Sequence, residues 1–425
     1  MKKIIIFALV IMVVLIPLFA QSVVEKSENE KVHLTFVEVM TNENRTYILR
    51  QAIANYEAQH PNIEIELISP AENEAEETLK TMLENGESVD ICEIRDQSVA
   101  KLLDEDLLAP IDDYLANSDL GDRMLDAAFT ATATFSGSGH YYFIMQYMYV
   151  KALLARADIL EEYGIKSPTT MQELYEACVK LNQAGDGHYG FGIKGTNPCR
   201  ILDLMFLGEI ENINPKNIYT TTDGAFYLDT EAGRTALSNY IELYKNGSAP
   251  DSVNWSFYDQ VEGFISGECA FIIQDPDALA MALEVLEDDQ ITVVPVPVGS
   301  TGKRYLDYGF AGLAIGATSQ HKDEAFDFIR YMLSPSINTQ LCEFYGALPV
   351  VKEVYELSPM FSNDHYKVGL DSLTDENTVL CSFPLGDPRF RDYMSLYTTA
   401  MQDLLKGNKT VDETVQTLKE FWTSN

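Results

Sequence analysis

Between residues 32 and 111 the apolar positions switch between two spacings. Val32 to Val39 (VHLTFVEV) reads as a strand. From Thr46 to His60, Ile48, Ala52, Ile53 and Tyr56 share one helical face. The helix should stop at His60-Pro61, because a residue before proline is pushed out of helical angles. Ile63 to Leu67 alternates Ile-Glu-Ile-Glu-Leu, the period of a half-exposed strand. Thr78 to Leu83 gives a short helix, Val89 to Ile94 a strand, and Val99 to Leu103 another helix, with Leu107 to Ile111 packing across it. Strand, helix, strand, helix, strand in this order predicts a largely parallel sheet with right-handed crossovers. Further along, Thr170-Met171-Gln172-Glu173 is a capping box opening a helix with the stripe Met171, Leu174, Cys178 and Leu181. Ala325, Phe328, Ile329 and Met332 form another stripe, closed by Ser334-Pro335. A second capping box, Thr410 to Glu413, opens a final stripe of Val411, Val415, Leu418 and Trp422.

The first twenty residues follow neither period. Met1-Lys2-Lys3 is basic, Ile4 to Leu18 is apolar apart from Pro17, and Ala20 precedes Gln21-Ser22. This fits a secretory leader cleaved after Ala20, since the apolar run falls short of the ~20 residues that span a bilayer. No Cys follows the run, so no lipid anchor is expected, and the mature chain should be periplasmic and soluble. Residues 22–31 are polar and Glu-rich, a stretch expected to fray. The remaining length exceeds one core, since cores stop growing near ~250–300 residues, so two domains are expected in the 425-residue chain. Against 30 Lys and Arg stand 65 Asp and Glu, a net charge of −35. Such a field repels nucleic acid and anionic lipid, and it disfavours an anionic ligand unless a local Arg overrides it. Six cysteines, at 92, 178, 199, 269, 342 and 381, show no Cys-x-x-Cys and no zinc spacing, and mostly free thiols are expected.

Motifs for chemistry are weak. Gly190, Gly192 and Gly195 spell GxGxxG, but Thr196-Asn197-Pro198 follows rather than a helix that would hold a pyrophosphate, so a glycine-rich turn is expected. The sequence holds no GxxxxGK[ST], GxSxG or HExxH. No cofactor and no metal are expected.

A broader resemblance runs over nearly the whole mature chain. Leu34 to Ile68, then Val89-Asp90-Ile91 with Leu102-Leu103 and Leu107 to Ile111, resembles the N-terminal part of extracellular solute-binding proteins of sugar-type ABC importers, family 1. Tyr142 to Gly164 followed by Ser167 to Leu174, Phe264 to Phe271, Pro295-Val296-Pro297, Gly309 to Ile315, Glu324-Ala325 and Gly346 to Pro349 are similar to later family segments in the same order. The chain departs at Leu154 to Ala157, where the family usually carries Tyr-Tyr-Asn-Lys, at Met145, often Pro there, and at Val37, often aromatic. These departures put the usual sugar-stacking platform in doubt.

The resemblance implies an α/β protein with the two-lobe periplasmic-binding-protein-like type II fold: mixed sheets, flanking helices and a hinge of three crossings. We expect crossings near 143–148, 299–308 and 347–353. Lobe one is then 22–145 plus 304–350, and lobe two 146–303 plus 351–425. It implies a non-enzymatic monomer that captures a carbohydrate or polyol and presents it to permease subunits. A secreted carbohydrate-active enzyme and the binding partner of a sensory receptor are the alternatives. Ligand contacts are expected at strand ends and loops. The candidates are Glu38, Arg95 and Asp96 after the first and third strands, Gln146 and Tyr147 past the first crossing, and Trp255 and Tyr258 in a polar loop. Gln274, Asp275 and Asp277 follow the Gly267 segment, and Tyr308 and Phe310 flank Gly309. Trp255 is expected to face the cleft and Trp422 to lie in the core.

Overall fold

The computed structural model describes residues 31–136, 139–214, 217–385, 387 and 389–423. The expected leader and residues 22–30 of the polar stretch lie outside them. The strands in chain order are β1 (Val32–Val37), β2 (Ile63–Ile68), β3 (Ile91–Arg95), β4 (Phe143–Val150), β5 (Ala152–Arg156), β6 (Tyr189–Phe191) and β7 (Ile213–Asn214). They continue with β8 (Asn217–Thr221), β9 (Cys269–Gln274), β10 (Ile291–Val294), β11 (Arg304–Leu306), β12 (Tyr308–Ala314), β13 (Leu348–Pro349) and β14 (Thr378–Leu380).

Six strands form the larger sheet in the order β13-β4-β12-β3-β1-β2. β1 pairs in parallel with both β2 and β3, as the opening alternation predicts, and β12 runs antiparallel between β3 and β4. The smaller sheet has the order β10-β5-β9-β6, antiparallel except for β6 beside β9. Strands β11 and β14 pair in parallel, and β7 and β8 make a two-stranded antiparallel sheet.

The expected crossings need correcting. β4 stays paired with β12 from Phe143 to Val150, so a boundary at 145 would cut a continuous ladder. The chain changes sheet at Lys151, the one residue between β4 and β5. It returns to the larger sheet at Asp307, between β11 and β12. At 347–353 the chain has not yet left, because Leu348 and Pro349 pair with Met148 and Tyr147 of β4.

The helices follow their apolar faces. The first, Glu43–Gln59, starts earlier than expected because the Asn42 side chain accepts from the Asn44 N–H, and Leu49 joins Ala52, Ile53 and Tyr56 in its buried face. The helix Met171–Ala184 has the Thr170–Glu173 capping box, and Thr410 and Glu413 make the same reciprocal contacts at Val411–Thr423. Among the described residues no helix is long and apolar enough to cross a membrane. All six cysteines are buried and free. The three glycines of the GxGxxG string serve close packing. A Cβ on Gly190 would meet Cys178 Cα at 2.2 Å, and one on Gly195 would meet the Val253 carbonyl oxygen at 1.9 Å.

The smaller lobe is tied together around a buried carboxylate. Asp203, on the helix Cys199–Leu207, accepts from the hydroxyls of Tyr227 (2.5 Å), Tyr397 (2.7 Å) and Tyr219 (3.2 Å) and from the Cys199 thiol (3.3 Å). These donors lie on four separate segments, so one side chain holds the 390–405 helix and the β8 hairpin to the lobe. Trp422 closes the cluster by stacking on Tyr219 at 5.2 Å between ring centroids. Burial pushes the Asp203 carboxyl up to about 6 despite its donors. The folded state therefore holds this proton more tightly than the unfolded chain. Its stabilising effect is complete below about pH 4 and is lost as pH rises through about 6. The variant Asp203→Asn does not titrate there. In urea titrations the stability advantage of wild type over the variant should shrink by about 1.4 kcal/mol per pH unit across that window. An advantage that stays constant or grows with pH refutes this.

Candidate ligand-binding cleft

Five charged side chains meet where the chain steps between the sheets. Lys151 places Nζ 3.3 Å from Asp275, which follows β9, and 3.4 Å from Asp307, which precedes β12. Arg200, in the first turn of the helix Cys199–Leu207, places Nη2 2.5 Å from Asp307 and Nη1 3.3 Å from Asp96, which follows β3. Asp96 belongs to the larger sheet's lobe, Asp275 and Arg200 to the smaller, so the network spans both. Strand ends converge here because β12 runs antiparallel between β3 and β4, and its start lies beside their carboxyl ends.

The network sets the charge of its members. Burial opposes ionisation of Asp307, yet Arg200 and Lys151 together hold its carboxyl below the usual range. Asp96 bonds only Arg200, and burial, with Asp307 nearby, outweighs the pull of Arg200 and Arg95 and pushes it up. The contrast follows from the number of cations each acid touches. Lys151 is desolvated, but Asp275 and Asp307 more than offset this and raise it. Lys194, after β6, is pulled down by burial and by Lys151. Burial and Asp275 push Asp277 up to about 7.

Beside the network lies a cavity of about 850 Å³. Gln97, Ser98 and Lys101 line it from the larger lobe, and Lys194, Asn197 and Arg200 from the smaller. The helix Phe390–Leu405 supplies a further wall through Phe390, Arg391 and Met394. A recess of about 120 Å³ continues inward between Met40, Tyr149 and Phe310. A cavity of this size suits a small solute.

The structure brings five of the twelve expected residues to this place. Arg95, Asp96 and Phe310 line the recess, Gln274 the cavity, and Asp275 both. Gln274 is fixed by donating to Gln260 at 2.8 Å, and Gln260 in turn donates to the Gly192 carbonyl. The other seven lie elsewhere. Glu38 is fully buried and accepts from Arg45, Thr46 and Ser69, a pairing that anchors the first helix to β1. Gln146 and Tyr147 sit inside β4 rather than past a crossing, and both are fully buried. Tyr308 is buried opposite Val150. Tyr258 is 69% exposed on the helix Phe257–Ser266, outside the cavity lining. Asp277 lies in the first turn of the helix Pro276–Leu283, against Gly346.

Trp255 is the main correction. It is 7% exposed and does not line the cavity. Its ring packs where a Cβ on Gly263 or Gly192 would stand, 2.8 and 3.4 Å away. It packs against Gly192, whose carbonyl accepts from Gln260. Sequence reading missed Lys151, Lys194 and Arg200. The signal for Lys151 was present, as the single cation interrupting the apolar run from Phe143 to Ala155.

Comparison with known proteins gives the family and the fold. Residues 51–367 match the family described as bacterial extracellular solute-binding protein, and the chain belongs to that family. The maltotriose-binding protein of Pyrococcus abyssi is 21% identical over 390 residues, covering 86% of this chain and 80% of the relative. The sugar-binding protein MalE from Xanthomonas citri superposes with a TM-score of 0.72 at 20% identity, over 92% of this chain and 96% of that one. The GacH receptor of Streptomyces glaucescens, solved unliganded and with acarbose, gives 0.69 at 22% identity over 92% and 97%. The fold is thus the two-lobed α/β fold of these binding proteins.

Two stability effects follow from the geometry. Arg200→Ala strands Asp96 and half of Asp307's compensation in a buried setting, and should cost the unliganded protein about 3–5 kcal/mol in urea titration. A loss below about 1 kcal/mol, the scale of an exposed pair, refutes the structural role. Trp255→Ala should lower stability by about 3–5 kcal/mol as a core truncation. A variant that melts like wild type places the ring outside the core.

Proposed function

We propose that this protein captures a carbohydrate or polyol between its two lobes and delivers it to the transmembrane subunits of an ABC importer. It does so as a single exported chain released from its leader after Ala20. The observation that carries this reading is the charged network at the sheet-to-sheet steps, because it lines a cavity between lobes with groups suited to hydroxyls. Asp96 and Asp275 accept from hydroxyls, Lys194 donates to them, and Gln274 and Asn197 do both. Solutes named for relatives support the class: a maltotriose-binding relative, and neighbours solved with acarbose and with D-mannitol. The binding residues on this reading are Arg95, Asp96, Lys151, Lys194, Asn197, Arg200, Gln274 and Asp275. We assign one lobe to residues 31–150 plus 308–357 and the other to 152–306 plus 378–423. Lys151, Asp307 and the segment 358–377 carry the chain across.

Function then needs no bond-making step. A solute touching both lobes favours the conformation in which they approach, and a permease can read that conformation. In thermal-shift assays against a panel of mono- and oligosaccharides and polyols, one class should raise the melting temperature. Ligand at ~100 Kd adds about 2.7 kcal/mol. Chromatography of the same incubations should show every sugar intact. Turnover of a panel member, or no upshift from any, overturns the reading.

A further inference from the structure

The cavity's charge runs against that of the chain. Lys and Arg are outnumbered 30 to 65 in the sequence, yet six of the cavity's ten charged lining residues are Lys or Arg. Pairing sharpens the contrast. Lys151 and Arg200 are engaged by three carboxylates, Asp275, Asp307 and Asp96, and Lys80 by two, Glu84 and Glu105. On the acidic side, Asp275 pairs with Lys151, Glu76 lies 3.8 Å from Arg95, and Asp387 pairs with Arg389. Among the described residues this leaves Lys101, Lys194 and Arg391 without an ion-pair partner, against Glu77 alone among the lining acids. Lys194 is the innermost of the three: it is half-buried, close enough to feel Lys151 and Arg200, and Asp275 and Asp277 reach it only through space.

Aromatic surface is scarce in the same cavity. The only ring among its described lining residues is Phe390, which is 3% exposed. Tyr149 and Phe310 add rings only in the narrow recess behind it, so in the outer cavity charge and hydrogen bonding do more of the work than stacking.

We infer that the solute is a sugar acid, a polyhydroxylated carboxylate whose anionic group is met by Lys194 while its hydroxyls engage Asp96, Gln274 and Asp275. The inference rests on the carbohydrate reading above and names its ligand class. The −35 charge of the chain does not forbid it. Surface charges beyond a Debye length of ~8 Å are largely screened at physiological ionic strength, whereas a half-buried ammonium in direct contact with the ligand is screened much less. A carboxylate arriving there gains a charge-assisted bond that a neutral sugar cannot make.

The test uses matched pairs with the same carbon skeleton: galacturonate against galactose, and gluconate against sorbitol, titrated calorimetrically into the full mature chain. The acid of at least one pair should bind roughly tenfold or more tightly than its neutral partner, the scale of one hydrogen bond to a charged group. Lys194→Gln should bring that ratio toward one, and Lys194→Arg should keep it. Circular dichroism and melting curves of both variants establish that they fold. Neutral sugars that bind as well as their acids overturn the sugar-acid inference and leave the carbohydrate reading standing. An acid preference that survives Lys194→Gln overturns the role of Lys194. If neither acids nor neutral sugars bind, both readings fall.

Discussion

The contact between Arg200 and the two carboxylates Asp96 and Asp307 constrains the rest of the molecule. Acids as buried as Asp96 and Asp307 are tolerable only where cations meet them, and the half-buried Arg200 guanidinium meets both. The partners come from the end of β3, the start of β12 and the first turn of the helix Cys199–Leu207. Their positions are therefore fixed relative to one another, and with them the two sheets. Lys151 extends the constraint to β9 through Asp275. The points where the backbone passes between the sheets thus hold Asp96, Lys151 and Asp307 buried together, and a change in lobe geometry must exchange these partners rather than stretch them.

Around this centre the chain uses small residues to bring large ones into place. Gly192 and Gly263 leave room for the Trp255 ring, and Gly190 lets β6 approach the helix that carries Cys178. Gln260 then reaches the Gly192 carbonyl and holds Gln274 at the cavity wall. The site's polar groups are positioned by packing two shells away, so substitutions remote from a ligand can still misplace them.

The parallel opening of the larger sheet was legible because its strands and helices have clean periods: Ile63 to Leu67 alternates, and the helix before it ends at His60-Pro61. Strand ends also named Asp96, Gln274 and Asp275 as site residues. The first crossing was not legible. Phe143 to Ala155 is one apolar run, buried nearly throughout, and period alone does not show a strand leaving one sheet for another. Trp255 misled for the opposite reason. Its neighbours in sequence are polar, but its packing partners, Gly192 and Gly263, come from segments whose approach only the fold reveals. Arg200 carries no local pattern at all, since its function comes from Asp96 and Asp307, each more than a hundred residues away.

The same network bears on how binding couples to lobe movement. Arg200 on the helix Cys199–Leu207 reaches Asp96 at the end of β3 at 3.3 Å, so part of the attraction between the lobes comes from the chain itself. A ligand shifts the balance of conformations only by the difference between its affinities for them, not by its affinity for either one. Contacts confined to one lobe add affinity without moving that balance. On the proposed reading, the contacts that move it join the two sides, Lys194 or Gln274 on one and Arg95 or Gln97 on the other. A paired Arg200–Asp96–Asp307 centre suits that arrangement. It supplies attraction between lobes at a fixed level and leaves the deciding increment to contacts a solute makes on both sides at once.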